Sequence, residues 1–505
     1  ANEVVVLDAE SGKLLWKSAV AGEARGLAVS DGHLVVSTTQ GKVYAFADAS
    51  RKALAAAVDA TSKIVADPFP QDALSPMYAA AAEQILQQTG VKSGFCLVVG
   101  SEQGRLAYEL AKRSELVIYG VEPDERKVQS SRATLLKTGL YGSRVSVDRL
   151  DLSVIPYASY FANLIVSDSL LLTGEVPGLP TDVARNLKPI GGALCLGVPD
   201  TASAGVKAKG RQSIARWLAA TNLPEEKAVL TTDGNWSRLV RAALPGAGAW
   251  SHEYGNAANT SSNDDQRIKG GLSVLWYGDP GPGQMVNRHA GAVGPISVNG
   301  RLFIQGEESV LAYDAFNGQF LWEWKNPGAL RAGLKRAYEP GNMAASDDSL
   351  FVVIENTCVH LDAATGKVRR TYRLPDARAN DPRQWGYIAY KDGLLFGTAT
   401  DRKQIAAELQ RRGKISSGAT DTVFAHDTMT GQLLWAHQGK SISHVAMAVG
   451  DGKIFFVDSS LTPGQREEFL RQDKSALANL TGAAQKLAED RIKKADLRMA
   501  TGLDA

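Results

Sequence analysis

Along much of the chain, apolar and polar residues alternate over short runs, which is the period of half-buried β-strands. The runs come in pairs joined by turn residues, as in GLAVSDGHLVVSTTQ from Gly26 and AVGDGKIFFVD from Ala448. The Gly of such a turn supplies the positive φ that a tight hairpin needs. This pattern predicts antiparallel hairpins over residues 1–48 and 246–460.

A short motif recurs within these hairpins. Its copies are LDAESGKLLW from Leu7, YDAFNGQFLW from Tyr313, LDAATGKVRR from Leu361 and HDTMTGQLLW from His426, and the final Leu-Asp-Ala at 503–505 matches the opening of another. The Asp can accept backbone N–H groups of the turn, and the Gly permits its conformation. We expect Trp16, Trp322 and Trp435 to pack between neighbouring units, with Arg370 weakening or replacing that contact in the third copy.

The motif resembles the blade-closing repeat of quinoprotein-like β-propellers, whose pattern is D-A-x-T-G-K-x-x-W. The resemblance implies radial blades of three or four short strands, and it covers roughly half of the chain. Since a closed propeller has four to eight blades, the stub at 501–505 predicts a further blade in a longer natural chain.

The alternation stops between about residues 49 and 245, where apolar strands alternate with helical periodicity. Helices are predicted over 53–60, 77–88 and 124–138. Strands are predicted within GFCLVVG, LVIYGVE, RVSVD, NLIVS and GALCLGV, in that order. This order predicts an α/β domain with a doubly wound parallel sheet.

This segment resembles the Rossmann-like domain of class I S-adenosylmethionine-dependent methyltransferases. The resemblance implies that Gly100 and Gly104 form the turn that passes the cofactor, that Glu122 binds the ribose and that Asp151 lies near the adenine. Glu122 follows Gly100 by about 20 residues, the spacing at which an acid reaches ribose hydroxyls in Rossmann domains. S-adenosylmethionine is the cofactor that the resemblance implies.

The segment departs from that family at two positions. Val98 stands where the family has an acid, and Glu102 stands where its glycine motif lets the cofactor approach the backbone. Ser167 and Asp168 follow the fourth strand, where substrate residues often lie, but they form no strong signature. These departures predict a domain that keeps the fold and has lost catalysis.

The leading hypothesis is therefore a binding or scaffold protein that carries a degenerate methyltransferase-like domain. The first alternative is an active methyltransferase whose propeller serves as a substrate platform. A quinone-dependent dehydrogenase is the second alternative, and it is disfavoured because the sequence has no adjacent cysteine pair. Pyrroloquinoline quinone is accordingly not expected as a cofactor, and no catalytic residue is assigned.

Composition and charge limit the classes of partner that the protein is expected to bind. The formal net charge of 505 residues is +2 and no basic run stands out, so a protein partner or larger assembly is favoured over nucleic acid. No apolar run is long enough to span a membrane. Cys96, Cys195 and Cys358 lie singly in apolar runs and are predicted to be buried, and the seven histidines show no metal-ligand spacing.

Location bears on the two main hypotheses. Quinoprotein-like propellers resemble exported or periplasmic proteins, although no signal peptide is present at residue 1. Since S-adenosylmethionine is not normally supplied outside the cytoplasm, an exported protein favours the degenerate domain. A cytoplasmic protein favours the active enzyme.

Three smaller features complete the domain plan. Residues 251–263 predict a loop between blades, with a glycosylation sequon at Asn259. Residues 403–412 predict a short helix, and residues 461–500 predict a helical hairpin that starts at Thr462 and Pro463. The predicted domains are a first blade segment (1–48), a methyltransferase-like Rossmann domain (49–245), further blades (246–460), a helical insertion (461–500) and the start of another blade (501–505).

Overall fold

The computed structural model of the protein describes most of the chain. The described residues are 2–30, 32–48, 64–223, 228–278, 293–327, 341–376, 381–401, 420–459, 478–487 and 498–504. They belong to two compact units, Ala1–Val65 and Ala66–Ala505.

The first unit contains two small antiparallel sheets. Its strands are β1 (Glu3–Leu7), β2 (Leu14–Ala19), β3 (Ala24–Ser30), β4 (His33–Thr38) and β5 (Val43–Ala47), paired as β1-β2 and as β3-β4-β5. The first repeat turn joins β1 to β2, and Asp8 Oδ1 accepts the backbone N–H of Ser11 at 2.8 Å, as predicted for this motif. Trp16 is 37% exposed and packs edge-on against Phe46 of the same unit.

The second unit begins with a seven-stranded sheet. Its strands are β6 (Ser93–Val99), β7 (Glu115–Glu122), β8 (Val145–Arg149), β9 (Leu164–Ser167), β10 (Ala193–Gly197), β11 (Ala228–Asp233) and β12 (Trp236–Arg241). Their order is β11-β12-β10-β9-β6-β7-β8, in which β8, β7, β6, β9 and β10 run parallel and β12 runs antiparallel to both of its neighbours. The predicted doubly wound sheet is confirmed.

Helices cover both faces of this sheet. They are α1 (Ser75–Thr89), α2 (Arg105–Arg113), α3 (Glu125–Leu136), α4 (Ser169–Thr173), α5 (Pro180–Asn186) and α6 (Ala204–Ala219). Apolar side chains of α1, α2 and α3 form one core against the sheet, and those of α5 and α6 form the other. The central strands are apolar throughout because both of their faces are buried. The predicted helix over 53–60 lies outside the described residues.

Four antiparallel sheets follow the doubly wound sheet in the second unit. The first two contain β13 (Ile296–Val298), β14 (Arg301–Gln305), β15 (Ser309–Asp314), β16 (Phe320–Lys325), β17 (Met343–Ala345), β18 (Ser349–Ile354), β19 (Thr357–Asp362) and β20 (Val368–Arg373). The next two contain β21 (Arg383–Lys391), β22 (Leu394–Asp401), β23 (Thr420–Asp427), β24 (Leu433–Gln438), β25 (Ile442–Gly450), β26 (Lys453–Ser459) and β27 (Arg498–Asp504). Each is a meander in sequence order, and the first strands of consecutive sheets are neighbours, as in the blades of a propeller.

The end of the chain differs from the prediction. Residues 461–500 were predicted as a helical insertion and 501–505 as the start of a further blade, but β27 pairs with β26 as the third strand of its sheet. Leu503 lies opposite Ile454 and Asp504 opposite Lys453, the register that Leu361 and Asp362 have in their own sheet. The Asp of the motif therefore ends a third strand at Asp504, as it does at Asp314, Asp362 and Asp427.

Contacts between neighbouring sheets follow the repeat. Trp322 Nε1 donates to the carbonyl of Ala363 at 3.1 Å, and a Cβ on Gly366 would lie 2.6 Å from the indole ring. The Gly of one turn thus makes room for the Trp of the preceding sheet. Arg370 replaces this Trp in the third copy, and its guanidinium donates to the carbonyl of Thr430 at 2.6 Å.

Trp276 makes the same contact, although the sequence analysis did not assign it to the repeat. Its Nε1 donates to the carbonyl of Ala315 at 2.9 Å, and its ring lies against Gly318. The signal was missed because no Asp stands eight residues before Trp276, as one does before the Trp of the other copies.

The predicted helical insertions are only partly described. Residues 403–412 lie outside the described residues, and within 461–500 the structure describes a helix over 482–487 and the beginning of β27. In the described part of the chain, no helix is both long and apolar enough to cross a membrane. Cys96, Cys195 and Cys358 are buried and form no disulfide.

Candidate functional site

The candidate site lies where the doubly wound sheet changes direction. The chain adds β7 and β8 on one side of β6 and then crosses to β9 on the other side. Open α/β sheets bind ligands outside the carboxyl ends of the strands at such a switch point. The predicted residues Gly100 and Glu102 follow β6, Ser167 ends β9 and Asp168 follows it, all at this edge.

The turn after β6 has the left-handed backbone conformation that lets another group approach the main chain closely. Gly100, Glu102 and Gly104 have φ values of 60°, 50° and 78°, all in the left-handed region. This conformation is ordinary for glycine and uncommon for a glutamate. Helix α2 starts directly after Gly104, so the predicted strand–turn–helix corner is present.

Protein atoms occupy the space next to both glycines. A Cβ on Gly100 would collide with the hydroxyl of Ser169 and would lie 2.8 Å from Cγ of Pro177. A Cβ on Gly104 would collide with the hydroxyl of Ser131 in α3. The glycines thus serve close packing of the protein against itself.

The side chain of Glu102 is held inside the same edge. Its carboxylate accepts a hydrogen bond from Ser169 Oγ at 2.8 Å and forms an ion pair with Lys127 Nζ at 2.5 Å. Glu102 is 8% exposed. Its carboxylate therefore has internal partners in the region that the methyltransferase resemblance assigns to the cofactor.

Glu122, the predicted ribose ligand, is also engaged. Its carboxylate accepts the backbone N–H of Glu102 at 2.9 Å and that of Asp124 at 3.2 Å. The residue is 3% exposed, and burial raises the pKa of its carboxyl above the usual value. Glu122 fixes the turn after β6 and the start of α3.

Asp168 is fully buried next to this cluster. It accepts hydrogen bonds from the hydroxyl of Tyr78 at 2.8 Å and from the backbone N–H of Leu106 at 3.2 Å. Burial raises the pKa of Asp168 to about 8. The adjacent Ser167 accepts the N–H of Leu170 through its hydroxyl at 3.4 Å. Both residues thus hold α1, α2 and α4 against the sheet.

Asp151, the predicted adenine neighbour, does not join the cluster. It is exposed, and its carboxylate accepts the backbone N–H of Ser153 at 2.9 Å. Hydrogen bonds from Ser153 lower the pKa of Asp151 below the usual value. The structure therefore brings six of the seven predicted residues to one edge and leaves Asp151 in its own turn.

The chain between α4 and α5 covers this edge. The N–H of Val176 donates to Ser213 Oγ at 3.1 Å, and that of Leu179 donates to the carbonyl of Leu152 at 3.2 Å. Trp217 Nε1 donates to the carbonyl of Gly178 at 3.3 Å. These contacts hold Pro177 against Gly100.

The methyltransferase resemblance assigns this edge of the sheet to S-adenosylmethionine. The cofactor would have to lie over Gly100, where Ser169 and Pro177 are in contact with the backbone, and next to Glu102, whose carboxylate is already paired. The sequence showed that Glu102 departs from the family's glycine motif, but it did not point to Ser169, Pro177 or Lys127. These residues carry no motif of their own, so only the fold reveals that they converge.

The opposite, amino edge of the sheet docks onto the sheet β13–β16. Lys188 Nζ forms an ion pair with Asp314 Oδ2 at 2.8 Å, and both side chains are at most 10% exposed. Asn317 Nδ2 donates to Asn163 Oδ1 at 2.9 Å and to the carbonyl of Phe161 at 2.8 Å. The repeat turn Asp314–Gly318 is thus also the docking site of the doubly wound sheet.

Aromatic packing extends the same contact. Tyr160 meets Phe316 edge-on with ring centroids 5.9 Å apart, and the guanidinium of Arg241 lies 4.8 Å from the centroid of Tyr160. Lys188, which lies between α5 and β10, thus belongs to this interface. Its partner Asp314 came from a separate motif, so sequence reasoning could not pair them.

The fold and the candidate site together define a class of repeat protein. Its antiparallel sheets are meanders with Asp-Gly turns, and it carries a Rossmann-like α/β domain whose own side chains fill the switch-point edge. The chain belongs to the family described as outer membrane protein assembly factor BamB, whose model matches residues 1–114 and 306–464, more than half of the chain. The predicted quinoprotein-like repeats are thereby confirmed. The first matched stretch extends into the α/β domain as far as α2.

Solved structures resemble separate parts of the chain. A methyltransferase dependent on S-adenosylmethionine from Aquifex aeolicus is 16% identical over 32% of this chain and 90% of its own, with a TM-score of 0.26. A quinohemoprotein alcohol dehydrogenase from Pseudomonas putida is 15% identical over 42% of this chain and 34% of its own, with a TM-score of 0.30. BamB from Moraxella catarrhalis is 16% identical over 32% of this chain and 41% of its own, with a TM-score of 0.22.

The chain therefore spans well under two thirds of the length of the last two proteins. No curated protein matches the chain.

Proposed function

We propose that this chain is a binding or scaffold protein of the BamB family in which the Rossmann-like domain is a structural module that does not bind S-adenosylmethionine. The main support for this proposal is that Ser169 and Pro177 contact Gly100 at the switch point. The internal pairing of Glu102 with Ser169 and Lys127 supports the same conclusion.

The position of the docking contact also supports a structural role. Ligands of doubly wound sheets bind at the carboxyl edge, whereas the Lys188–Asp314 pair joins the sheet β13–β16 to the amino edge. A strand such as β6, with seven residues, separates the two edges by roughly 20 Å. The sheet β13–β16 is thus not placed to present a substrate to a cofactor at the switch point.

Family membership supports a protein partner and an exported location. The family description names an outer membrane protein assembly factor, and a role in the assembly of proteins would require contact with them. An exported module would not meet S-adenosylmethionine, so location and a filled switch point agree. Fractionation of the natural host tests this part of the proposal, and recovery from the cytoplasm alone would contradict it.

Calorimetric titration of the full chain with S-adenosylmethionine tests the cofactor part. We expect no binding heat at millimolar cofactor. Micromolar binding that Glu122→Gln abolishes, while the exposed control Glu125→Gln retains it, would overturn the proposal and favour an active methyltransferase. The combined substitution of Glu102, Ser169 and Pro177 by glycine tests whether these side chains exclude the cofactor, because it removes the atoms that fill the space.

A further inference from the structure

Residues Trp250–Ala257, here called the strap, lie across the first strands of all four sheets β13–β27. Trp250 and Ser297 exchange two backbone hydrogen bonds of 2.8 Å, so the strap extends the edge of β13. The carbonyl of Ser251 accepts the N–H of Ala345 in β17 at 3.0 Å.

The strap continues to the two remaining sheets. The N–H of Tyr390 in β21 donates to Nε2 of His252 at 3.0 Å. The N–H of Val449 in β25 donates to the carbonyl of Ala257 at 2.8 Å. Eight consecutive residues therefore satisfy backbone donors in the first strand of each sheet, which would otherwise be edge groups in need of partners.

His252 is the side chain that joins the strap to the third sheet. Because its Nε2 accepts a backbone N–H, the neutral ring must carry its proton on Nδ1, which lies 2.7 Å from Ser251 Oγ. The residue is 6% exposed, and burial lowers the pKa of the imidazole to about 4. The ring thus stays neutral and keeps its acceptor available at ordinary pH.

Glu253 fills the space between the first two sheets. Its carboxylate accepts the N–H of Gly294, which precedes β13, at 3.1 Å. A Cβ on Gly341, which precedes β17, would lie 2.6 Å from Cβ of Glu253. Gly341 therefore leaves the room that the strap needs.

We propose that the strap ties the four sheets into one cooperative unit and couples them to the chain that leaves the Rossmann-like domain. The strands of each sheet pair with one another in sequence order, so each sheet could open separately. The strap removes that independence because its release exposes backbone donors in every first strand. This inference does not depend on the proposed function.

Hydrogen exchange of the full chain, measured by mass spectrometry, tests the strap. We expect His252→Ala to raise exchange about tenfold or more in peptides from β13, β17, β21 and β25 together, because a buried donor loses its acceptor and the strap loosens. His252→Gln, whose amide oxygen can take the place of Nε2, should restore most of the protection.

His360→Ala is the matched control. His360 is also buried, but its ring nitrogen contacts Ser349 Oγ at 2.9 Å within a single sheet, so its loss should raise exchange in β17–β20 alone. The proposal would be overturned if His252→Ala raised hydrogen exchange in β21 alone, or if His252→Ala and His360→Ala raised exchange equally across the four sheets. If His252→Ala does not fold, Ser251→Ala gives the same comparison with a smaller expected effect, since it removes only the hydroxyl beside Nδ1.

Discussion

The buried ion pair between Lys188 and Asp314 gives the sharpest prediction about stability. Lys188→Met removes the ammonium group and leaves the Asp314 carboxylate inside the interface. The Asp side chain is 7% exposed, and its second oxygen holds the N–H of Phe316 at 2.9 Å in the repeat turn. The carboxylate therefore cannot turn to solvent without breaking its own turn.

The expected cost is large because a buried charge loses its partner. Removing one member of a buried pair costs about 3–5 kcal/mol, whereas an exposed pair contributes about 0–1 kcal/mol. The same repeat supplies the control, since Asp362 occupies the equivalent position and pairs with Arg369 at 2.6 Å, with the two side chains 26% and 36% exposed. Arg369→Met should therefore cost at most about 1 kcal/mol.

Urea denaturation followed by tryptophan fluorescence measures both variants. We expect Lys188→Met to separate the unfolding of the Rossmann-like domain from that of the sheet β13–β16. Adding Asp314→Asn should recover part of the loss, because the amide keeps the turn acceptor without the charge. Equal costs for Lys188→Met and Arg369→Met would refute the argument that burial decides the strength of this contact.

Two further predictions concern pH and the repeat turn. The folded protein keeps a proton on Asp168 up to a pKa of about 8, while the unfolded chain releases it near 3.8, so the free energy of unfolding should fall by about 3–4 kcal/mol from pH 5 to pH 8. Asp168→Asn should remove that decrease. If the free energy of unfolding, measured by urea titration, fell equally from pH 5 to pH 8 in this variant, the raised pKa would not belong to Asp168. Gly366→Ala should cost about 2–4 kcal/mol because its Cβ meets the Trp322 ring at a positive φ. Gly393→Ala, also at positive φ but with no neighbour within 4 Å, should cost about 1 kcal/mol, and similar thermal unfolding of the two variants would argue against the packing role.

The sequence predicts the architecture well because its signals are local. The Asp and Gly of each repeat sit in one turn, and the apolar strands around Gly100 mark a buried parallel sheet. Element types and order follow from such short-range patterns. The third-strand position of residues 498–504 was not foreseen, because a strand pattern alone does not say which neighbour it pairs with.

The contacts that decide the site are long-range. Gly100, Glu102 and Gly104 lie in one turn, but Ser169 and Pro177 reach that turn from the part of the chain that follows β9. Residues 251–263 read as a loop between blades, since a polar composition does not reveal that His252 is buried against β21. Such residues have no local periodicity, so only the folded topology brings them together.

In the proposed structural module, protein side chains fill the switch point of the Rossmann-like domain and leave no room for S-adenosylmethionine. A crystal structure grown with millimolar S-adenosylmethionine tests it directly. We expect that Ser169 still contacts Gly100 and Glu102 and that no cofactor density lies between them. Cofactor density over Gly100, with Ser169 and Pro177 displaced and Glu122 on the ribose, would contradict it.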